Sequence, residues 1–238
     1  MSAVNVFSLV GPPGSGKTTQ AARLAAAVGE ALGSPVLRVS VPALLRGEPD
    51  LTARLTPHQR VRVAEAREAA HAHADRGELM PTELDRVILE LVRRVGRSEP
   101  VVLDSVPRGC EQARLLLASG LTGTQLTVLH LRAPDDPFEF SMRRQLARAA
   151  SRGEAPVTGK DLLRMTRKAH VYAEQTLPGL ADIARTGTPL ADFDADAPVD
   201  RVAQEIREYL VRHGALPPLR AVASTGAGAT RQGAGPCS

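Results

Sequence analysis

Eight consecutive residues, Gly11-Pro12-Pro13-Gly14-Ser15-Gly16-Lys17-Thr18, fill every fixed position of the pattern G-x-x-x-x-G-K-[ST]. The chemistry open to such a run is phosphate capture. Its glycines let the backbone turn with positive φ and approach an oxyanion with no Cβ in the way, and the loop amides converge with a helix N-terminus on one anionic spot. Lys17 is then placed to bridge the β- and γ-phosphates of a nucleoside triphosphate, and Thr18 to reach a Mg²⁺ ion. Such a site also needs an acid on a neighbouring strand. The apolar run Val101-Val102-Leu103 ends in one, Asp104.

The loop works only between a strand and a helix, and the sequence supplies both. Val4 to Val10 reads as a strand before it, and an Ala-rich helix follows Thr18. Further strands are expected at Val36 to Ser40, Val101 to Asp104, Gln125 to Leu131 and Leu190 to Phe193. Longer helical patterns alternate with them, the signature of an α/β fold with a parallel sheet covered on both faces. The clearest helix runs between Pro81 and Val95, where Leu84, Val87, Ile88, Leu91, Val92 and Val95 repeat with helical period. Another starts at Thr56-Pro57, an N-cap followed by a proline, and runs towards Gly77. Others follow Gly109, Pro137, Lys160 and Pro198. No internal repeat is present.

Composition removes several classes of function. With 43% hydrophobic and 24% charged residues over 238, the chain is neither disordered nor fibrous. No apolar run approaches the roughly 20 residues of a membrane span, and the start lacks a signal-peptide pattern, so a cytoplasmic protein is expected. Cys110 and Cys237 are the only cysteines, too few for a disulfide framework or a Cys-based zinc site. The net charge is only +4, and aromatics are 3% with no tryptophan, which argues against a nucleic-acid partner. His71 and His73 lie two apart on a helix, roughly 200° around it from one another, so they make no metal pair. Asp192, Asp194 and Asp196 lack the glycine and closing glutamate of a calcium loop. His130, inside an apolar strand, reads as a hydrogen-bonded core histidine, and Cys110 as a helix-start residue with no paired base. From 217 to 238 the Ala/Gly/Ser/Thr mixture reads as a disordered tail.

Four segments together resemble the adenylate kinase and wider nucleoside monophosphate kinase family. Gly11 to Thr19 is similar to its phosphate loop. Leu103-Asp104-Ser105-Val106-Pro107-Arg108, followed by Gln112, is similar to its L-D-G-F-P-R motif and the glutamine four residues later. Gly77-Glu78-Leu79-Met80-Pro81 resembles its G-E-L-V-P turn, and Tyr172 to Pro178 its Y-x-x-x-T-x-P helix. The resemblance implies a P-loop kinase fold with a five-stranded parallel sheet of order 2-3-1-4-5 in residues 1–216. It also implies a helical acceptor-binding insert over about 42–96 and a short lid at about 151–159. The implied reaction moves the γ-phosphoryl group of ATP to an acceptor phosphate, with Mg²⁺ as cofactor. On that basis ATP is bound by Gly11, Gly14, Ser15, Gly16, Lys17, Thr18, Thr19 and Arg144, and the metal by Thr18 and Asp104. Arg46, Arg108 and Gln112 bind the acceptor, and Lys17, Arg108, Arg148 and Lys168 act in the transfer, with Arg167 competing for the last place. A monomer or small homo-oligomer is expected.

The chain also departs from the family. The acceptor loop T-G-D-x-L-R reads Val41-Pro42-Ala43-Leu44-Leu45-Arg46, and the motif glycine and phenylalanine are Ser105 and Val106. The lid lacks the G-R-x-D-D run and offers Gly159-Lys160-Asp161, with Arg152 nearby. Phosphate-holding groups are thus kept while base-reading groups are altered. The acceptor is AMP or another nucleoside monophosphate on one reading, and a different small anionic metabolite or modified nucleotide on a second. A third reading is a nucleotide-binding switch with little transfer.

Overall fold

The computed structural model describes residues 5–121, 126–152 and 157–218. Val4 and Gln125, the first residues of two expected strands, lie outside this range, as do 153–156 of the expected lid and 219–238 of the expected tail. Among the described residues five short apolar segments form strands: β1 (Val6–Val10), β2 (Leu37–Val39), β3 (Val101–Asp104), β4 (Leu126–Arg132) and β5 (Leu190–Asp194). All pair in parallel in the order β2-β3-β1-β4-β5. Every residue of β1 and β3 is buried, as expected of central strands covered on both faces.

The described helices around the sheet are α1 (Lys17–Leu32), α2 (Val41–Arg46), α3 (Pro49–Arg54), α4 (Pro57–Arg76), α5 (Thr82–Val95), α6 (Cys110–Ala118), α7 (Pro137–Ser151), α8 (Gly159–Val171), α9 (Leu177–Arg185) and α10 (Val199–Arg212). A π-helical turn, Tyr172–Thr176, joins α8 to α9. Two of these helices carry a mutual cap: Thr56 with Gln59 at α4, and Thr158 with Asp161 at α8. The six periodic residues of α5 are all buried, with Pro81 as the residue before its first turn. The short helices α2 and α3, at the start of the helical insert that the resemblance implies, match none of the individual helices expected from periodicity and caps. Ser40, expected to end a strand, instead accepts from Ala43 N and caps α2, which Gly47 closes.

Alternation along β1 feeds two cores. Val6 and Val10 pack with Leu84, Ile88 and Leu91 on one face, whereas Phe7 and Leu9 pack with Leu24, Val28, Phe140 and Ile206 on the other. Register then fixes the working edge. Leu9 pairs with Asp104 and Val10 with His130, so the loop after β1 opens beside both residues at the carboxyl ends of the strands. Among the described residues no helix is long and apolar enough to cross a membrane.

Candidate active site

The phosphate loop is shaped by contacts that only its own residue types permit. Gly14 has φ +82°, and a Cβ there would stand 2.6 Å from the Arg144 Cβ. Across this contact Arg144 donates from Nε to the Gly14 carbonyl at 3.3 Å, its guanidinium also lying 3.8 Å from Asp196. Gly16, also left-handed, leads into α1. Lys17 folds back over the loop, donating from Nζ to Pro12 O at 2.7 Å and to the buried Ser15 Oγ at 3.3 Å. Burial, helped by the charge of Arg108 and opposed by Asp104, pulls the ammonium down to about 7. Thr18 lines the cleft beside it, and Thr19 is exposed in the first turn of α1.

Arg108 is held at three points. Its N–H donates to Gln112 Oε1 at 2.5 Å, its carbonyl accepts from Thr176 Oγ1 at 2.6 Å, and its Nε donates to Ser105 O at 3.0 Å. The clamp therefore draws on α6, the π turn and the end of β3. Burial holds the Arg108 guanidinium below its ordinary value, while Asp104 and Asp85 act to raise it. Behind Gln112 stands a residue that the sequence alone does not single out: Asp85 of α5 is 5% exposed and accepts from Gln112 Nε2 at 2.7 Å.

Burial pushes the Asp85 carboxyl up to about 6, against the Gln112 hydrogen bond and the Arg108 charge, with Glu111 adding to the rise. Below the ordinary value of 3.8 the carboxyl is protonated folded or unfolded, and between there and about 6 only the folded chain keeps its proton. Stability contributed by this group is thus lost as pH rises through that window. Asp85→Asn, isosteric and without a titrating proton, should gain on the order of 2 kcal/mol relative to wild type between about pH 4 and about pH 7.5. Urea unfolding at the two pH values measures it, and an equal difference at both would refute the assignment.

Four more cations face the loop across a cleft of about 490 Å³: Arg148 and Arg152 at the end of α7, and Arg164 and Lys168 one turn apart on α8. Lys168 is depressed by burial and then by Arg164, Arg108 and Arg148. With Lys17 and Arg108 the cleft wall carries six cationic side chains and one acid, Glu78, among the described residues. Glu78 is itself engaged by Arg76 at 2.8 Å and by Arg167 at 3.7 Å. Arg167, the competitor for Lys168, therefore turns to Glu78 while Lys168 enters the cleft.

Other expected residues sit less centrally. Arg46 ends α2 with an exposed side chain paired to Glu48 at 2.6 Å and is not among the residues that line the cleft, though Pro42 of the same helix is. Gln112 is buried behind the wall as part of the Arg108 clamp. Asp104 is buried at the end of β3 and accepts from Ser105 Oγ at 2.9 Å. His130 is a core histidine joining Asp192 at 2.8 Å to the Tyr172 hydroxyl at 2.6 Å, and burial lowers its pKa. His73 bonds the Leu79 carbonyl at 2.6 Å and thereby steadies the turn after α4. Arg164 is absent from the expected set, although its spacing of four from Lys168 carries the signal.

A family model described as "ATPase family associated with various cellular activities (AAA)" matches residues 7–96, which span the phosphate loop. An adenylate kinase of Thermus thermophilus is 37% identical over 204 residues, covering 84% of this chain and 94% of its own length. Adenylate kinases of Synechococcus sp. (strain JA-2-3B'a(2-13)) and Clavibacter michiganensis subsp. michiganensis are each 29% identical, over 84% and 88% of this chain and 93% and 94% of their own. With a phosphate loop, a 2-3-1-4-5 parallel sheet and this degree of identity along most of its length, the chain belongs to the adenylate kinase family of P-loop phosphotransferases.

Proposed function

We propose that the protein moves the γ-phosphoryl group of ATP to the phosphate of a nucleoside monophosphate, with AMP the first candidate. The observation that carries this reading is the concentration of Lys17, Arg108, Arg148, Arg152, Arg164 and Lys168 around one cleft whose single acid among the described residues is already paired. Even with Arg164 paired to Asp161 at 3.1 Å, such a set of cations suits two phosphate-bearing molecules meeting end to end. In such a transfer an acceptor oxygen attacks the γ-phosphorus while the bond to the β–γ bridging oxygen breaks, and the electron pair leaves with ADP. The protein's part is alignment and neutralisation of charge on the equatorial oxygens. Lys17 serves the donor side, Arg108 the acceptor side, and the α7 and α8 cations the space between.

The donor set also fits Mg²⁺. The Thr18 hydroxyl, on the cleft wall, and the Asp104 carboxylate, at the end of β3 beside Leu9 of β1, are hard oxygen ligands, and Asp104 Oδ1 accepts from Ser105. When bound there the ion supplies charge neutralisation at the β- and γ-phosphates.

A second acceptor class is favoured by one local observation: Ser105 and Pro42 stand on the cleft wall where the family has glycine and a polar loop. A modified nucleotide or another small anionic metabolite would suit such a wall. The test is ADP release from Mg-ATP in the presence of AMP, CMP, UMP, GMP or dTMP at matched concentration. Strong stimulation by one of them is expected. ATP binding with no stimulation by any would overturn the nucleoside monophosphate assignment in favour of the second class.

A further inference from the structure

Ser105 is the one non-glycine residue with positive φ among the described residues, at +67°. A Cβ makes this left-handed backbone unfavourable, and glycine would adopt it freely. Strain of this kind persists where the surroundings over-determine it, often at a functional site. Ser105 is 7% exposed and stands on the cleft wall between Asp104 and Arg108.

Its three polar groups go three ways. The N–H donates to Leu9 O on β1 at 2.9 Å, and the carbonyl accepts from Arg108 Nε at 3.0 Å. Glycine in the same backbone would make both of these. What serine adds is the hydroxyl, which donates to Asp104 Oδ1 at 2.9 Å. Asp104 is 5% exposed, and this hydrogen bond reaches its carboxylate directly.

We propose that Ser105 is a positioning residue: its hydroxyl orients the Asp104 carboxylate while its left-handed turn presents a carbonyl that aims Arg108. One strained residue thereby sets the metal side and the acceptor side of the site together. The inference rests on the phosphotransfer reading given above. It assigns the serine a task that glycine could fill only by half.

Ser105→Gly and Ser105→Ala in the full chain separate the turn from the hydroxyl. With the hydroxyl lost from both, the glycine variant, relieved of strain, should melt about 2–4 °C higher than the alanine variant. Both should lose about 10-fold in kcat, the usual scale for removing a partner of a metal ligand, with the acceptor KM within about twofold. Both should also need about 10-fold more Mg²⁺ for half of the ATP-dependent rise in melting temperature. A serine that is merely structural would shift the melting temperature and leave that metal dependence alone. Wild-type turnover and metal dependence in either variant would overturn the proposal. If no acceptor stimulates wild-type turnover, the phosphotransfer reading fails by itself, and the metal-dependent thermal shift still decides whether Ser105 governs Asp104.

Discussion

Lys17→Ala should slow phosphoryl transfer by about 10³-fold, equivalent to about 4 kcal/mol of transition-state stabilisation. The side chain is half-buried with its ammonium directed at Pro12 O and Ser15 Oγ, so it supports the loop and carries its charge into the cleft at once. Removing it should leave the fold intact, because the desolvated ammonium lies well below its ordinary value and so costs the folded state something. The variant should therefore match wild type in far-UV circular dichroism and melt no lower. Initial rates of ADP release with the preferred acceptor measure the effect. A loss smaller than about 10-fold would remove Lys17 from the reaction.

Arg108→Ala is expected to cost about 10²- to 10³-fold in kcat/KM, and Arg108→Lys should recover little of it. The alanine change is unusually clean. Two of the three clamps on Arg108 reach its main chain, through Gln112 Oε1 and Thr176 Oγ1, and survive truncation of the side chain. What is lost is the guanidinium and its bond to Ser105 O. Lysine restores one charge but neither the planar fork nor the Nε donor that the Ser105 carbonyl orients. A steady-state comparison of the two variants at saturating ATP, with melting temperatures as the control for folding, gives the answer. Near wild-type kcat/KM in the lysine variant would mean that charge alone matters at this position.

Legibility from sequence followed the range of the interactions. The phosphate loop is a run of eight residues whose geometry is local, so its pattern and flanking elements carry most of its meaning. The α5 face was legible for the same reason: its period is written in consecutive residues. The clamp on Arg108 was not, since it unites Asp85, Gln112, Ser105 and Thr176 from four separate segments. No periodicity reports a buried carboxylate whose partner is an amide 27 residues away. The short helices α2 and α3 escaped because Ser40, Gly47 and Pro49 punctuate them so closely that no hydrophobic period develops. Motif likeness named both Lys168, which lines the cleft, and Arg46, whose exposed side chain pairs with Glu48.

Gly77 closes α4 with φ +75°, and a methyl group there would lie 2.6 Å from the Arg164 carbonyl oxygen of α8. The separation between the helical insert and the helix carrying Arg164 and Lys168 is thus dictated by main chain against main chain. Side-chain packing can be renegotiated by compensating substitutions elsewhere, but a backbone contact with no spare volume cannot. Mutational drift in this protein is consequently channelled. The wall formed by Pro42, Leu79 and Met80 is free to be redrawn, whereas the distance of Arg164 and Lys168 from the insert is inherited with the glycine. New acceptors are reachable by changing what the pocket touches, and the phosphate geometry is not up for revision.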